Sequence, residues 1–208
     1  MKLYFKTGAC SLASRITFNE LGLPFSSEAV DTDKGLTQSG ADFKTINPNG
    51  YVPVLEVSQG IYLSENPAIL QYIADQKPDS TLAPVNGTLE RARLQEALNF
   101  TGSELHKAFS PFFRIPDMSD EVRSEHIKNL YKKVQHIENQ LSDGRTFLLG
   151  EDFTIADAYT IVVLNWANFI NVDLSQYAKI GAYLKNGFAR PAVIKSLKEE
   201  GIYQEETA

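Results

Sequence analysis

The chain has 208 residues, 43% of them hydrophobic and 22% charged, proportions that exclude a disordered or fibrous protein and allow one or two ordinary domains with buried cores. A formal net charge of -6 leaves no global positive field for phosphates or anionic headgroups, so neither nucleic acid nor a membrane is expected as a partner. A single cysteine excludes an internal disulfide and no apolar run approaches a membrane span or a signal peptide, so a reducing, cytoplasmic setting is expected.

In chain order, Lys2 to Lys6 alternates as a short strand, Thr7-Gly8-Ala9 breaks it, and a helical run follows from about Ser11 to Leu21. Gly22 caps that helix and Pro24 prevents its continuation, after which Phe25 to Val30 reads as a second strand. A weaker helix is predicted over Leu36 to Ile46, ending before the turn residues Asn47-Pro48-Asn49-Gly50. Two strands, Val54 to Val57 and Ile61 to Leu63, have hairpin spacing, and a helix from near Ser64 to Ala74 tolerates Pro67 in its first turn. The order β-α-β-α-β-β-α predicts a mixed four-stranded sheet with helices packed on it.

Gln76 to Thr88 is rich in proline and glycine and reads as a linker. Beyond it strand signals vanish and helical periodicity appears at Leu89–Phe109, Ser119–Leu141, Ile155–Phe169, Tyr177–Asn186 and Ala192–Glu199. Three segments are therefore expected: a domain at 1–77, a linker at 78–88 and an all-helical domain at 89–208. Thr154-Ile155-Ala156-Asp157 has the form of a capping box with Asp in place of Glu, which fixes the start of the helix carrying Trp166. Lys128 to Lys133 is interrupted by Asn129, Leu130 and Tyr131 and reads as the wet face of an amphipathic helix.

Three groups of residues could carry chemistry. Cys10 sits where the first strand hands over to the first helix, and unpaired N–H groups with the helix macrodipole should favour a thiolate there. Position 13 is Ala, which rules out a CxxC dithiol, and the alternative reading is a buried structural cysteine. Asn99, Ser103 and His106 are spaced to share one side of a helix beside the apolar stripe of Leu94, Leu98, Leu105 and Phe112; taken alone, His106 is more often a hydrogen-bonded partner than a catalyst. In Gly50-Tyr51-Val52-Pro53-Val54, Pro53 suits an edge, a turn or a cis bond and leaves the backbone of Val52 open to an extended peptide. Glu65 and Asn66 follow at a helix start, where N–H groups hold a carboxylate and Glu65 can hold an ammonium; ordinary N-capping is the alternative.

Taken together, Gly8-Ala9-Cys10-Ser11-Leu12, Asn47-Pro48 through Val52-Pro53, Glu65 to Ile69, Asn99 to Phe109 and Phe153 to Tyr159 resemble the glutathione transferases of the bacterial beta class, from Met1 to about Tyr203. The resemblance implies a thioredoxin-like N-terminal domain, a helical C-terminal domain and a homodimer. It implies Cys10 and His106 as the catalytic residues, with His106 approaching from the helical domain. It implies Val52, Pro53, Glu65, Asn66, Asn99, Ser103 and Glu104 as glutathione contacts, some of them crossing the dimer interface. Leu105, Phe109, Phe113 and Trp166 are expected to wall the site of a small hydrophobic electrophile. Glutathione is expected as co-substrate, with no prosthetic group and no metal. Relatives carry a Lys after the second strand, and here the matching place reads Asp33-Lys34-Gly35. Two further readings of the same fold are thiol-disulfide exchange or peroxide reduction through Cys10, and non-enzymatic holding of hydrophobic ligands.

Overall fold

The computed structural model describes residues 1–115 and 117–204. The chain divides into two compact units, one formed by Met1–Ala83 with the segment from Ala189 onward, the other by Pro84–Phe188.

The first unit is built on β1 (Lys2–Phe5), β2 (Ser26–Asp31), β3 (Leu36–Thr37), β4 (Val54–Ser58) and β5 (Ile61–Ser64), in the spatial order β3-β2-β1-β4-β5. β1 and β2 are parallel, joined by helix α1 (Ser11–Leu21), as a crossover requires; every other pairing is antiparallel. Gly22, at φ 62°, ends α1 in the left-handed conformation that a residue with a Cβ adopts at a cost. α2 (Asn66–Ala74) follows β5.

The sheet has five strands among the described residues where the sequence pattern predicts four, and the helix expected over Leu36 to Ile46 is absent. Instead, Leu36–Thr37 pairs with β2, Gln38 N–H donates to Ala29 C=O at 2.8 Å, and only a single 3₁₀ turn, Phe43–Thr45, is helical. The cause is tertiary: Gly35 and Gly40 both take positive φ, bending the chain so that Phe43 drops, with 0% exposure, into a cluster with Tyr4, Val30 and Val54. Burying one phenyl ring is worth about 2 kcal/mol, enough to override a weak helical preference.

The second unit is helical: α3 (Leu89–Phe100), α4 (His106–Arg114), α5 (Asp120–Gln140), α6 (Ile155–Phe169) and α7 (Ala178–Phe188). α6 begins and ends at the predicted residues, and its Asp157 carboxylate accepts the Thr154 N–H and hydroxyl at 2.8 Å each, closing the expected box. The single helix expected from Leu89 to Phe109 is interrupted by a π turn, Thr101–Leu105, in which His106 N–H reaches back to Thr101 C=O. α8 (Pro191–Glu199) belongs to the first unit, packing on α1. No helix among the described residues is long and apolar enough to cross a membrane.

Candidate active site

Cys10 is the residue at the head of α1, in the loop that leaves β1. Gly8 precedes it at φ 72°, and its N–H donates to a Glu200 carboxylate oxygen at 2.9 Å, which fixes the loop from the far end of the chain. Ser11 Oγ bonds to the Lys6 backbone from both sides, donating to the C=O at 3.2 Å and accepting the N–H at 3.3 Å. The thiol itself is 8% exposed and donates to Val52 C=O at 3.7 Å, next to a cis Val52–Pro53 peptide. Val52 and Pro53 are thus brought to Cys10.

The expected thiolate is not what this environment favours. Burial pushes the Cys10 thiol up to about 12, outweighing the backbone N–H groups of Cys10 and Ser11 that pull it down, and the negative charge of Glu65 pushes in the same direction as burial. The helix terminus is present, but two N–H groups do not replace the lost water. A thiol with its pKa so raised keeps its proton near neutrality and donates it to Val52 C=O.

Glu65 and Asn66 also converge here, Glu65 with a strained backbone and Asn66 with its side chain engaged inside the protein. Glu65 adopts φ 69°, ψ 111°, a region that non-glycine residues occupy only at a cost of about 1–3 kcal/mol and that collects at functional sites. Asn66 is 4% exposed, and its side chain is occupied: Oδ1 accepts from Ser14 Oγ at 2.9 Å and Nδ2 donates to Cys10 C=O at 3.1 Å. It is a strut between the starts of α1 and α2; Pro67 has no N–H and those of Ala68 and Ile69 donate to Glu65 C=O at 3.0 Å, so the Asn66 backbone N–H is the donor this turn can offer a ligand. Lys34 pairs with Asp31 at 3.0 Å on the surface.

In the second unit, the expected common face of Asn99, Ser103 and His106 is broken by the π turn. The extra residue swings His106 by about 100° away from the side of Asn99. Asn99 and Ser103 remain together and exposed, with Ser103 Oγ donating to Asn99 C=O at 2.8 Å. Glu104 forms an ion pair with Lys133, so it is already balanced within its own chain.

His106 is instead delivered to α6. Nδ1 lies 2.8 Å from Tyr159 OH, and the ring meets Trp166 edge-on with centroids 4.7 Å apart. Burial lowers His106 to about 4, with the charges of Lys107 and Arg114 acting in the same sense, so the imidazole is neutral at physiological pH. Phe109 and Phe113 also contact Trp166 edge-on, at 5.9 and 5.6 Å. These three expected wall residues therefore form one aromatic group, in which Phe109 is fully buried, Trp166 nearly so and Phe113 is 53% exposed. Leu105 is wholly buried and has no part in these ring contacts. Sequence reasoning missed Tyr159, although it lies seven residues before Trp166 on the same helix face. It also missed Glu200, which has no local signal because its partners are Gly8 and Arg15.

A mixed sheet carrying a cysteine at the first crossover helix, joined to a helical unit with an aromatic group around a histidine, defines a thioredoxin-like domain followed by a helical one. The chain belongs to the glutathione S-transferase family: residues 7–76 match the model of its N-terminal domain and residues 100–191 that of its C-terminal domain. It is similar to glutathione S-transferase GstA of Escherichia coli O157:H7, with 42% identity covering 97% of this chain and 100% of that protein. Among solved structures it resembles the beta class glutathione S-transferase of Sphingomonas chungbukensis, at a TM-score of 0.92 and 44% identity, covering 98% of this chain and 100% of that one. A sphingomonad glutathione S-transferase complexed with glutathione matches at a TM-score of 0.91 and 43% identity over the same shares.

Proposed function

We propose that this enzyme joins the sulfur of glutathione to small hydrophobic electrophiles, working as a cytoplasmic homodimer in detoxification. The observation that carries the reading is the convergence of a neutral Cys10 thiol, the Val52 carbonyl and the first turn of α2 at one place. In this arrangement Val52 pairs with the cysteinyl backbone of glutathione. The Asn66 backbone N–H at the head of α2 holds the γ-glutamyl carboxylate and Glu65 holds its ammonium. The glutathione thiol releases its proton to solvent and Cys10 exchanges its bond to Val52 for one to the resulting thiolate, stabilising it; that sulfur attacks carbon, a C–S bond forms and the leaving group departs with its bonding electrons. Asn99 and Ser103, exposed on α3 and the π turn, supply further contacts across the dimer interface. Glu104, held by Lys133, contributes least of the expected contacts.

A second reading, thiol exchange through Cys10, is favoured by the free thiol and opposed by its burial. The two separate on one variant. Cys10→Ala should keep conjugation of an activated aryl chloride within roughly tenfold of the parent, because glutathione supplies its own nucleophile. It should abolish the mixed disulfide that oxidised glutathione forms with the parent, read by mass spectrometry. Far below a raised thiol pKa the thiolate fraction grows with pH, so the parent's adduct rate should climb about tenfold per unit from pH 7 to 9. A pH-independent rate, or loss of conjugation by three orders of magnitude in the variant, would make Cys10 the working nucleophile.

Tyr51, Ile61, Tyr62 and Tyr72 of the first unit are large apolar residues left exposed, which supports a partner surface there. Light scattering at micromolar concentration should give about twice the 23.2 kDa chain mass, and a monomer with normal glutathione affinity would remove the shared contacts from this account.

A further inference from the structure

We infer that Tyr159 is a positioning residue that fixes the tautomer of His106, so that His106 offers a ring N–H, and not a base, to the second substrate. The inference rests on the conjugation reading for its functional meaning, but its geometry is independent of it. Thr101, 0% exposed, bonds through its hydroxyl to Thr160 Oγ1 at 2.7 Å, which pins the start of the π turn to α6 one residue from Tyr159. The π turn then ends at His106, whose Nδ1 is 2.8 Å from the Tyr159 hydroxyl. Tyr159 is 3% exposed and its ring stands at 81° to the imidazole, while Trp166 closes another side of the same ring at 82°. Tyr159 and Trp166 thus hold the imidazole from two sides, and what the hydrogen bond decides is which nitrogen carries the proton.

Elementary acid-base chemistry places that proton. An unprotonated imidazole nitrogen is a far better acceptor than a phenol oxygen, and a phenol hydroxyl is the better donor, so the stronger pairing is Tyr159 O–H donating to Nδ1. Nε2 then carries the ring hydrogen, and it makes no hydrogen bond to any described residue. Burial keeps a second proton off the ring near neutrality. A neutral donor beside Trp166 and Phe113 suits an aromatic electrophile that bears an acceptor, such as a nitro or carbonyl group, more than a plain hydrocarbon halide.

The test is the nitrogen spectrum of the full-length, uniformly ¹⁵N-labelled protein at pH 7, with His106 distinguished from His126 and His136 by loss of its signals in His106→Gln. The expected parent spectrum shows Nδ1 at the unprotonated, pyridine-like shift and Nε2 at the pyrrole-like shift. Tyr159→Phe removes only the hydroxyl and should move both His106 resonances toward an averaged mixture of tautomers. A parent with Nδ1 protonated, or a variant with unchanged His106 shifts, overturns the inference. In parallel, the preference for 4-nitrobenzyl chloride over benzyl chloride, taken as a ratio of kcat/KM, should fall roughly fivefold in Tyr159→Phe with glutathione KM unaltered. A change in glutathione KM alone would mark a structural role and overturn it. If the parent conjugates neither halide, the conjugation reading fails while the spectrum still decides the tautomer.

Discussion

Asp157→Ala should lower the stability of the protein by about 4 kcal/mol, a fall of about 12 °C in Tm, without touching any residue proposed to meet glutathione. The carboxylate is wholly buried and accepts four hydrogen bonds: from Leu148 N–H at 2.8 Å, Thr154 N–H and Thr154 Oγ1 at 2.8 Å, and Tyr183 OH at 3.1 Å. Truncation leaves all four donors without that acceptor and out of reach of water, each a loss of about 1–3 kcal/mol that does not add fully. Burial raises the carboxyl pKa against the pull of these donors. Asp157→Asn keeps the size but presents a donor where only donors converge, and should cost about 2 kcal/mol. Thermal unfolding followed by circular dichroism measures both; a fall below 3 °C for the alanine variant would mean that α6 does not depend on its cap.

The same residue shows why parts of this protein are legible in its sequence. The limits of α6 are written locally, by Thr154 and Asp157 three residues apart and by an apolar run that suits full burial. The stretch from Leu36 to Ile46 is misread because what decides it is non-local: β2 offers a pairing edge and the cluster of Tyr4, Val30 and Val54 offers a place for Phe43. The π turn has no composition of its own, yet it redirects His106 from Asn99 to Tyr159, so spacing located the histidine and mistook its neighbours. Cys10 is a similar case. Its position at a helix head can be read from Thr7-Gly8-Ala9-Cys10, but the loss of solvent that raises its pKa belongs to the packed fold. Residue types placed the candidate site; packing set its protonation.

Arg15→Leu should be the most damaging change in the first unit, costing about 3–5 kcal/mol and unsettling Cys10 as well. Arg15 lies on α1 with its side chain 4% exposed, donating from Nε to Glu200 at 3.1 Å, from Nη1 to Glu199 at 3.4 Å and from Nη2 to Ser27 at 3.2 Å, with the guanidinium 4.4 Å above the Phe5 ring. The Glu200 side chain is 0% exposed, so removal of Arg15 strands a buried carboxylate and drives it to take up a proton or to move toward water. Movement would withdraw the acceptor from Gly8 N–H, two residues before Cys10, and loosen the loop that buries the thiol. Urea unfolding should therefore show the loss of stability, and labelling of Cys10 by iodoacetamide in the folded protein should accelerate roughly tenfold. The charge and the loop contact can be separated, because Arg15→Leu combined with Glu200→Gln removes both charges while leaving an acceptor for Gly8. That double variant should recover to within about 1–2 kcal/mol of the parent and restore slow labelling. If it is no more stable than Arg15→Leu alone, the damage comes from lost stacking of the guanidinium on Phe5, and the buried ion pair is not what ties Glu200 to the Cys10 loop.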